Sequence, residues 1–412
     1  MRIAFFTHYF HPEGNAPATR VTELTRRWVA AGHDVTVVTG VPNVPDGVVY
    51  EGYRNRLLQR ERREGVDVVR VWTYLAPNKG AARRVLNYLS YMLTAACVGL
   101  FVRRPDVVIA TSPQFFCGWA GVLVSRARRV PFVLEIRDLW PESIEAVGAM
   151  RNRRLLRLLE WLELRMYAAA TRIVTVGEGY REKLVAKGVD PARIDVIPNG
   201  VDLEAFLGGA DGRKVRERYA LGDRFVCAYL GTIGLGCGLE VALRAARKLR
   251  ESGRDDVRFL LVGDGAVREE LEARARAEGL GVVVFTGRQP KAAMPEFLAA
   301  ADACLVHLTR TELFRTVLPS KIFEAAAMRK PIVLGVEGFA AELVRSAEAG
   351  LCIQPENEDD LLAAVDRLAA DPALARRLGD SGFERIAQRH SFDRLATQYV
   401  ERLETLRTQY IT

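Results

Sequence analysis

Residues 225–238 read FVCAYLGTIGLGCG, an apolar run that stops at a turn rich in glycine. The run has the length of a buried β-strand, and the segment after the turn has the pattern of a helix. Where a strand ends at glycines and a helix begins, free backbone N–H groups and the positive helix end meet at one place. Such a place suits a phosphate group, so this stretch predicts a nucleotide-binding strand–turn–helix unit.

The chain contains a second unit of this kind near its N-terminus. The strand RIAFFT, residues 2–7, leads into a turn that contains Gly14 and Asn15, and a helix is predicted over residues 19–31. At 412 residues the chain is too long for one core and fits two domains of about 200 residues. The two units therefore predict two doubly wound domains that face each other across a cleft, with a diphosphate between them.

Apolar runs alternate with helical segments in both halves, and most of these runs lack strict polar–apolar alternation, which is typical of parallel sheets covered on both faces. The remaining expected strands are HDVTVVTG, VDVVRVW, DVVIATSP, PFVLEIRD and RIVTVG, then VRFLLVGDG, VVVFTG, ACLVHL, PIVLGV and LCIQP. A Pro-Asn-Gly turn and a Gly-rich stretch near 197–212 mark a boundary. We expect a first domain over 1–204, a second over 205–390, and a C-terminal helix over 391–412 that packs back on the first domain.

The net charge of +8 is concentrated in the first half. Residues 1–200 hold 29 Lys and Arg against 19 Asp and Glu, a difference of +10, and residues 201–412 hold 30 against 32, a difference of −2. An anionic membrane, a phosphorylated acceptor or a nucleic acid would suit this excess. Nucleic acid is disfavoured because the sequence has no zinc pattern and no basic stretch interleaved with aromatic residues.

The six cysteines are scattered and lie mostly among apolar or small residues, which is typical of buried thiols in a reducing compartment. The chain opens with a strand and not with the charged and apolar segments of a signal peptide. We therefore expect a cytoplasmic protein.

Several segments form a series along the chain: GHDVTVVTG (32–40), IPNGVDLEAF (197–206), LVGDG followed by VFTG (261–265 and 284–287), and LPSKIFEAAA (318–327). In this order and spacing they resemble the family 4 glycosyltransferases, which have the GT-B fold, and the resemblance runs from end to end. Within that family the chain is similar to bacterial cell-envelope transferases of the L-fucosamine (N-acetyl-fucosamine) type, which act in O-antigen assembly. This likeness is carried by EIRDLWPES (135–143), the YLGTIG turn (229–234) and TVLPSKIFE (316–324). The resemblance implies an α/β protein with two Rossmann-like domains.

The resemblance also implies an activity. A retaining enzyme would move an N-acetylated hexosamine or deoxyhexosamine from a UDP-sugar to a polyprenyl-diphosphate-linked or other envelope glycan, as a peripheral protein on the inner face of the cell membrane. The second domain would hold the nucleotide sugar and the first domain the acceptor. No cofactor is expected, and no metal, because the sequence has no Asp-x-Asp ligand pair. No protein nucleophile is evident, so catalysis would come from orienting the substrates and stabilising the leaving diphosphate.

Glu324 is the leading candidate for binding the donor. It follows the Pro-Ser-Lys turn in the first turn of a predicted helix, where a carboxylate either complements the helix dipole or, as the resemblance implies, accepts hydrogen bonds from a ribose. Ser320 and Lys321 bring a hydroxyl and a cation to the same place, which suits a diphosphate. The full donor-binding set expected from motif and resemblance is Gly14, Asn15, Gly231, Thr232, Ile233, Gly234, Gly263, Gly287, Arg288, Thr316, Val317, Leu318, Pro319, Ser320, Lys321 and Glu324.

The chain departs from the family pattern in two ways. Many members carry a second Glu eight residues before the position of Glu324, and this chain has Thr316 there. Many also carry an Arg and a Lys in the turn after the first strand of the second domain, and this turn holds no cation. We expect Lys321 to neutralise the diphosphate, with Arg288 as the second candidate.

Glu135, Arg137 and Asp138 are the expected catalytic residues. They follow a buried strand at its C-terminal end, where charges are costly unless they are paired or used. Asp138 could orient an acceptor hydroxyl or the donor sugar, whereas a structural pair of Arg137 with Glu135 or Asp138 remains the alternative. His8 and His11 flank the first turn and are either ligands of the sugar or phosphate or ordinary loop histidines.

Two segments of the first half favour an anionic membrane surface. Residues 83–104 place a mostly apolar stretch between pairs of arginines, with Asn87, Ser90, Tyr91 and Thr94 on one polar stripe, a pattern that suits a helix lying in the interface. Residues 151–169 are rich in leucine and carry five arginines against two glutamates. The alternative is that both are ordinary helices that cover the sheet.

Three other classes of protein are alternatives to a glycosyltransferase. A nucleotide-sugar epimerase shares the two-domain fold and needs no acceptor. A nicotinamide-dependent oxidoreductase would need a GxGxxG turn with an acidic residue after the next strand. The first turn lacks the GxGxxG pattern, and in the second half the only acid after the next strand is Asp264, which lies in a glycine turn. A non-catalytic membrane scaffold would keep the fold without binding a donor.

Overall fold

The computed structural model describes residues 1–44, 47–75, 81–112, 115–140, 142 and 152–411. Four residues of the quoted segments lie outside the described residues, namely Pro113, Pro141, Ser143 and Arg151. The chain divides into two compact units: unit 1 comprises Met1–Pro198 and Phe392–Thr412, and unit 2 comprises Asn199–Ser391.

Unit 1 is built on one eight-stranded sheet. In chain order its strands are β1 (Arg2–Phe6), β2 (Asp34–Thr39), β3 (Leu58–Arg63), β4 (Val66–Val71), β5 (Val107–Ser112), β6 (Phe132–Ile136), β7 (Arg172–Thr175) and β8 (Ile194–Val196). They lie in the order β3–β4–β2–β1–β5–β6–β7–β8, and every pair is parallel except β3 with β4. The sequence did not predict the edge strands β3 and β8, because β3 reads LQRERR, with no apolar run, and β8 is only three residues long.

The helices between these strands are α1 (Ala16–Ala30), α2 (Ala81–Gly99), α3 (Phe115–Arg128), α4 (Arg153–Ala169) and α5 (Glu178–Ala186). Helix α1 starts where Asn15 caps it, since the Asn15 side chain accepts a hydrogen bond from the backbone N–H of Ala18. Its face of Val21, Leu24 and Trp28 is buried in the core of unit 1.

Unit 2 is built on a parallel six-stranded sheet of β9 (Phe225–Leu230), β10 (Val257–Val262), β11 (Val283–Gly287), β12 (Ala303–His307), β13 (Ile332–Gly335) and β14 (Gly350–Cys352), in the order β11–β10–β9–β12–β13–β14. Its helices are α6 (Leu203–Leu207), α7 (Arg213–Arg218), α8 (Glu240–Glu251), α9 (Arg268–Ala277), α10 (Met294–Ala300), α11 (Lys321–Ala327), α12 (Phe339–Ser346), α13 (Glu358–Ala370) and α14 (Pro372–Gly382). The strand order reverses beside β9, and ligands of such sheets bind outside the carboxyl ends of the strands at this point.

The last helix, α15 (Phe392–Ile411), returns to unit 1 as the sequence predicted. It packs on α1, where the Trp28 indole N–H donates to the Ala396 carbonyl at 3.1 Å and the Trp28 ring meets Tyr399 edge-on at 5.1 Å between centroids. The Arg27 guanidinium adds an ion pair with Asp393 at 2.7 Å.

The boundary between the units lies at Pro198, a few residues before the expected position. The buried Arg20 guanidinium donates to the carbonyls of Ile197 and Pro198 and so holds them in unit 1. Val201, in contrast, donates its N–H to the His390 carbonyl at 3.0 Å and lies in the core of unit 2 together with Phe206.

The polar stripe of α2 faces the protein, which corrects the expectation that it is the wet side of this helix. The Tyr91 hydroxyl donates to the Val38 carbonyl, the Asn87 amide to the Tyr74 carbonyl, and the Thr94 hydroxyl to the Trp72 carbonyl. The leucines of the opposite face are exposed instead, with Leu86 at 53% and Leu93 at 59% of their full accessible surface.

Helix α4 also has polar side chains on its buried face and apolar side chains on its exposed face. Its buried face carries Glu163, which accepts hydrogen bonds from the Tyr167 hydroxyl and from the Lys187 ammonium. Its outer face exposes apolar side chains next to arginines, namely Leu155, Leu158, Trp161 and Leu164 beside Arg154, Arg157 and Arg165. In the part of the chain that the structure describes, no helix is long and apolar enough to cross a membrane.

Candidate active site

The turn that follows β9 presents unpartnered backbone N–H groups. The N–H of Gly231 donates to the Val262 carbonyl and that of Ile233 to the Asp264 carbonyl, which fixes the start of the turn. Among the described residues, no acceptor contacts the backbone N–H groups of Thr232, Gly234, Leu235 or Gly236. A row of such donors at the carboxyl end of a strand is an anion-binding arrangement.

Two glycines make this turn possible. Gly231 and Gly263 have φ angles of +128° and +139°, a backbone conformation that other residues rarely adopt. A Cβ on Gly263 would lie 1.9 Å from the Gly231 carbonyl oxygen, so the ends of β9 and β10 approach each other only because Gly263 has no side chain. The Gly263 N–H donates in turn to the Gly287 carbonyl at 3.1 Å, which brings the end of β11 to the same edge.

Lys321 supplies the cation that the turn itself lacks. It is the first residue of α11, and its ammonium lies 4.9 Å from the centroid of the Tyr229 ring. A Cβ on Gly231 would lie 2.9 Å from the Lys321 Nζ, so this ammonium reaches the first residue of the turn. No described carboxylate forms an ion pair with it, which leaves its charge available to an anion.

Glu324 lies one helical turn beyond Lys321 and is half-buried. Its burial raises the pKa of its carboxyl group, while the charges of Lys291 and Lys321 act in the opposite direction. Its carboxylate has no hydrogen-bond or ion-pair partner among the described residues, so both oxygens can accept bonds from a ligand.

Other expected donor residues have local roles. The Thr316 hydroxyl donates to the Leu313 carbonyl at 2.8 Å, and the N–H of Val317 donates to the Phe314 carbonyl at 3.2 Å. Pro319 and Ser320 accept bonds from the first N–H groups around α11, and the Ser320 side chain does not cap this helix. The Arg288 guanidinium lies 3.7 Å from the Asp264 carboxylate and is therefore engaged, unlike Lys321.

The sequence missed two residues that shape this edge of the sheet. The Tyr229 hydroxyl donates to the Thr232 carbonyl at 2.7 Å, although this residue looked like an ordinary core residue of a strand. Gly338 has φ +72°, and a Cβ there would lie 2.1 Å from the Arg315 carbonyl, so it supports the 3-10 turn Phe314–Thr316 that precedes Leu318. The sequence signal for Gly338 was its place shortly after the strand β13, where a turn is expected.

Of the three predicted catalytic residues in unit 1, Glu135 and Arg137 form a buried ion pair, whereas Asp138 lies nearer the surface. Glu135 is 0% exposed and pairs with Arg20 at 3.3 Å and with Arg137 at 3.8 Å. Arg137 also donates to the Pro17 carbonyl at 3.0 Å, and burial lowers the pKa of its guanidinium. Glu135 and Arg137 thus form the structural ion pair that the sequence left open, while Asp138 is half-buried at the carboxyl edge of the sheet.

The first turn of unit 1 is also described. Gly14 is exposed and has open space around its Cα, and Asn15 is engaged as the cap of α1. His8 is buried against the rings of Tyr88 and Tyr91, and burial lowers its pKa to about 4, so it is neutral at physiological pH. The described residues contain no group of three or more side chains that could hold a metal ion.

Comparison with known proteins identifies the class of protein to which the chain belongs. Residues 15–200 match the model of the glycosyl transferase 4-like domain, and residues 212–385 match that of glycosyl transferases group 1. The chain is 26% identical over 378 residues to the putative colanic acid biosynthesis glycosyl transferase WcaI of Escherichia coli, covering 89% of this chain and 91% of that relative.

Solved structures agree on the fold. The chain is similar to the sucrose-phosphate synthase of Thermosynechococcus elongatus, with a TM-score of 0.77, 19% identity, and coverage of 98% of this chain and 99% of that one. It is also similar to Anabaena HepE in complex with UDP and glucose, with a TM-score of 0.73, 20% identity, and coverage of 98% and 99%. The chain is a glycosyltransferase with the GT-B fold, built from a family 4-like domain and a group 1 domain.

The close approach of β9 and β10 yields a first prediction. Gly263→Ala should lower the free energy of unfolding by about 2–4 kcal/mol, because the new methyl group collides with the Gly231 carbonyl as well as straining the backbone. The matched control is Gly253→Ala, where φ is +67° but nothing lies within 4 Å of the added Cβ. Urea unfolding followed by circular dichroism measures both, and equal losses in the two variants would contradict the steric argument.

Proposed function

We propose that the protein is a retaining glycosyltransferase that moves an N-acetylated hexosamine or deoxyhexosamine from a UDP-sugar to a polyprenyl-diphosphate-linked or other envelope glycan at an anionic membrane surface. One observation carries the donor half of this proposal. Among the described residues, the Lys321 ammonium and the N–H groups of the adjacent turn have no partner, and neither has the Glu324 carboxylate one helical turn further along α11.

The chemistry of these groups fits a nucleoside diphosphate. The N–H groups of the turn and the ammonium of Lys321 would accept the diphosphate, and they would stabilise the charge that develops on it as the sugar leaves. The carboxylate of Glu324 would accept hydrogen bonds from the ribose hydroxyls. Uridine is proposed from the resemblance of the sequence, and HepE, which has the same fold, was solved with UDP.

Retention and the identity of the sugar rest on the resemblance to family 4 transferases. In this proposal no protein nucleophile takes part, and Asp138, at the half-exposed carboxyl edge of the unit 1 sheet, orients the acceptor hydroxyl. The envelope acceptor is supported by the similarity to WcaI, whose name assigns it to colanic acid biosynthesis. The anomeric configuration of the product, measured by NMR, tests retention: inversion would contradict it.

The membrane part of the proposal rests on the inverted helices α2 and α4. Exposed leucines in helices whose polar groups face the protein are costly in water unless another apolar phase covers them. Arginines flank these leucines, and the exposed Trp161 ring stacks with the Arg165 guanidinium at 5.1 Å. Leucine, tryptophan and arginine together are the composition of surfaces that lie on anionic bilayers.

The donor assignment predicts different losses for two variants. Lys321→Ala should weaken UDP binding by about tenfold or more and leave uridine binding nearly unchanged, because a bond to a charged group contributes about 1.5–3 kcal/mol and only UDP has the diphosphate. Glu324→Ala should weaken UDP and uridine alike, because both carry the ribose. Titration calorimetry measures all four affinities.

Lys214→Ala, at an exposed position of α7, is the control for removing a positive charge from unit 2. If Lys321→Ala weakened uridine as much as UDP, the diphosphate role would pass to Arg288 or to backbone groups alone. Unchanged affinities in a folded Glu324→Ala protein would remove the ribose assignment.

The membrane assignment predicts sedimentation with vesicles. The protein should bind vesicles that contain anionic lipid better than neutral ones, and added salt should weaken binding because it screens the arginines. Replacing Leu86 and Leu93 with Glu should lower partitioning by more than about tenfold, since each leucine contributes about 1.5 kcal/mol or more when buried.

Leu207→Glu in unit 2 is the matched control, because Leu207 is 52% exposed but lies on a different unit. It should leave partitioning unchanged, and all variants should keep their UDP affinity. Wild-type protein that ignores vesicles of every composition would contradict the membrane assignment.

A further inference from the structure

His307 is a buried histidine with both ring nitrogens engaged. It is the last residue of β12, and its side chain is 1% exposed. Its Nδ1 lies 2.8 Å from the Cys237 carbonyl oxygen, and its Nε2 lies 2.8 Å from the backbone nitrogen of Glu356. A carbonyl only accepts and a backbone N–H only donates, so the ring carries its proton on Nδ1 and none on Nε2. The neutral ring is therefore the form that fits this site.

Two glycines leave room for the ring. A Cβ on Gly335 would lie 2.3 Å from the His307 Cδ2, and a Cβ on Gly238, where φ is +58°, would lie 3.0 Å from the Cε1. The ring is thus enclosed between β13 and the end of the turn that follows β9. Its orientation is fixed by packing as well as by its two hydrogen bonds.

The residues after His307 hold the same two segments. The Thr309 N–H donates to the Gly236 carbonyl at 2.9 Å, and the Arg310 N–H donates to the Glu356 carboxylate at 3.0 Å. The chain at the end of β12 therefore holds consecutive carbonyls of the glycine turn on one side and residue 356 on the other. This is the turn that begins at Gly231, beside the Lys321 ammonium, and whose N–H groups at residues 232 and 234–236 have no acceptor among the described residues.

We propose that His307 is a positioning residue for diphosphate recognition: in its neutral form it fixes the turn at residues 232–238 so that the N–H groups of this turn are oriented for the phosphates before the donor arrives. This inference rests on the proposed function, which assigns the diphosphate to that turn. His307 itself touches no substrate, and its effect passes through the carbonyl of Cys237. Preorganised donors of this kind are effective because they do not have to reorient during the reaction.

The protonation state of His307 links this arrangement to pH. Burial lowers the pKa of the ring below its usual value of 6.5, the carbonyl of Cys237 and the carboxylates of Glu356 and Glu240 act in the opposite direction, and the Arg244 guanidinium lowers it further. A proton on Nε2 would point at the Glu356 N–H and remove that hydrogen bond. The pKa of His307 is lower in the folded protein than in the unfolded chain. As pH falls below 6.5, the unfolded chain therefore binds the proton first, and the stabilisation from the neutral ring is lost as pH falls towards the folded pKa.

Three variants test the proposal. His307→Leu removes both bonds, whereas His307→Asn places an amide near the position of Nδ1 and keeps a donor for the Cys237 carbonyl without a titratable group. Leu305→Ala, a buried position of the same strand, controls for a general loss of stability. Affinities for UDP and for uridine are measured by calorimetry at about pH 8, and urea unfolding of each variant is measured at about pH 8 and about pH 5.5.

At about pH 8 we expect His307→Leu to lower the affinity for UDP by about tenfold or more and to change the affinity for uridine much less. His307→Asn should keep most of the wild-type affinity for UDP. As pH falls below 6.5, the free energy of unfolding of the wild type should fall relative to that of His307→Asn, because only the wild type buries a neutral histidine ring. Leu305→Ala should leave the ratio of UDP to uridine affinity unchanged.

The inference is overturned if His307→Leu binds UDP as tightly as the wild type, or if its affinities for UDP and uridine fall equally. It is also overturned if Leu305→Ala changes the ratio of UDP affinity to uridine affinity as much as His307→Leu does. Each of these results would leave the donor assignment intact, because wild-type protein would still bind UDP. Wild-type protein that binds no UDP would overturn the proposed function and this inference together.

Discussion

The proposed donor site depends on one constraint, the close approach of backbone and cation at the carboxyl ends of β9 and β10. Gly263 allows its backbone to meet the Gly231 carbonyl, and Gly231 allows the Lys321 ammonium to reach the turn. Side chains at either glycine would separate these groups. Because the turn itself has no basic residue, we propose that the positive charge comes from α11, whose first residue is Lys321 and whose fourth is Glu324. One short helix therefore brings both proposed donor contacts to the switch point of the sheet.

Much of this architecture could be predicted from the sequence. Buried parallel strands are continuous apolar runs, so β9, β10 and β12 were visible without any structural information. The return of the C-terminal helix to unit 1 was also predicted, and Trp28 and Tyr399 now explain it. The edge strand β3 could not be predicted, because a strand that is exposed and charged has no apolar pattern to reveal it.

The site was harder to predict than the fold, because the role of a polar residue depends on its partners. Glu135 and Arg137 stood at the right end of the right strand, yet their side chains turn to each other and to Arg20 in the interior. Asn87 and Thr94 formed a polar stripe that indicated a wet surface, but neighbouring carbonyls satisfy them inside the protein. His307 gave no signal in the sequence, since its two hydrogen bonds join it to residues far away in the chain, Cys237 and Glu356. Spacing reveals which face a residue shares, but not what it meets there.

The most direct test of the central claim is a crystal structure of the protein with UDP. The diphosphate should lie against the N–H groups of Gly234, Leu235 and Gly236, within hydrogen-bonding distance of the Lys321 ammonium, and the ribose hydroxyls should meet the Glu324 carboxylate. A nucleotide bound elsewhere, or a diphosphate held by Arg288 with Lys321 still resting on Tyr229, would contradict this claim.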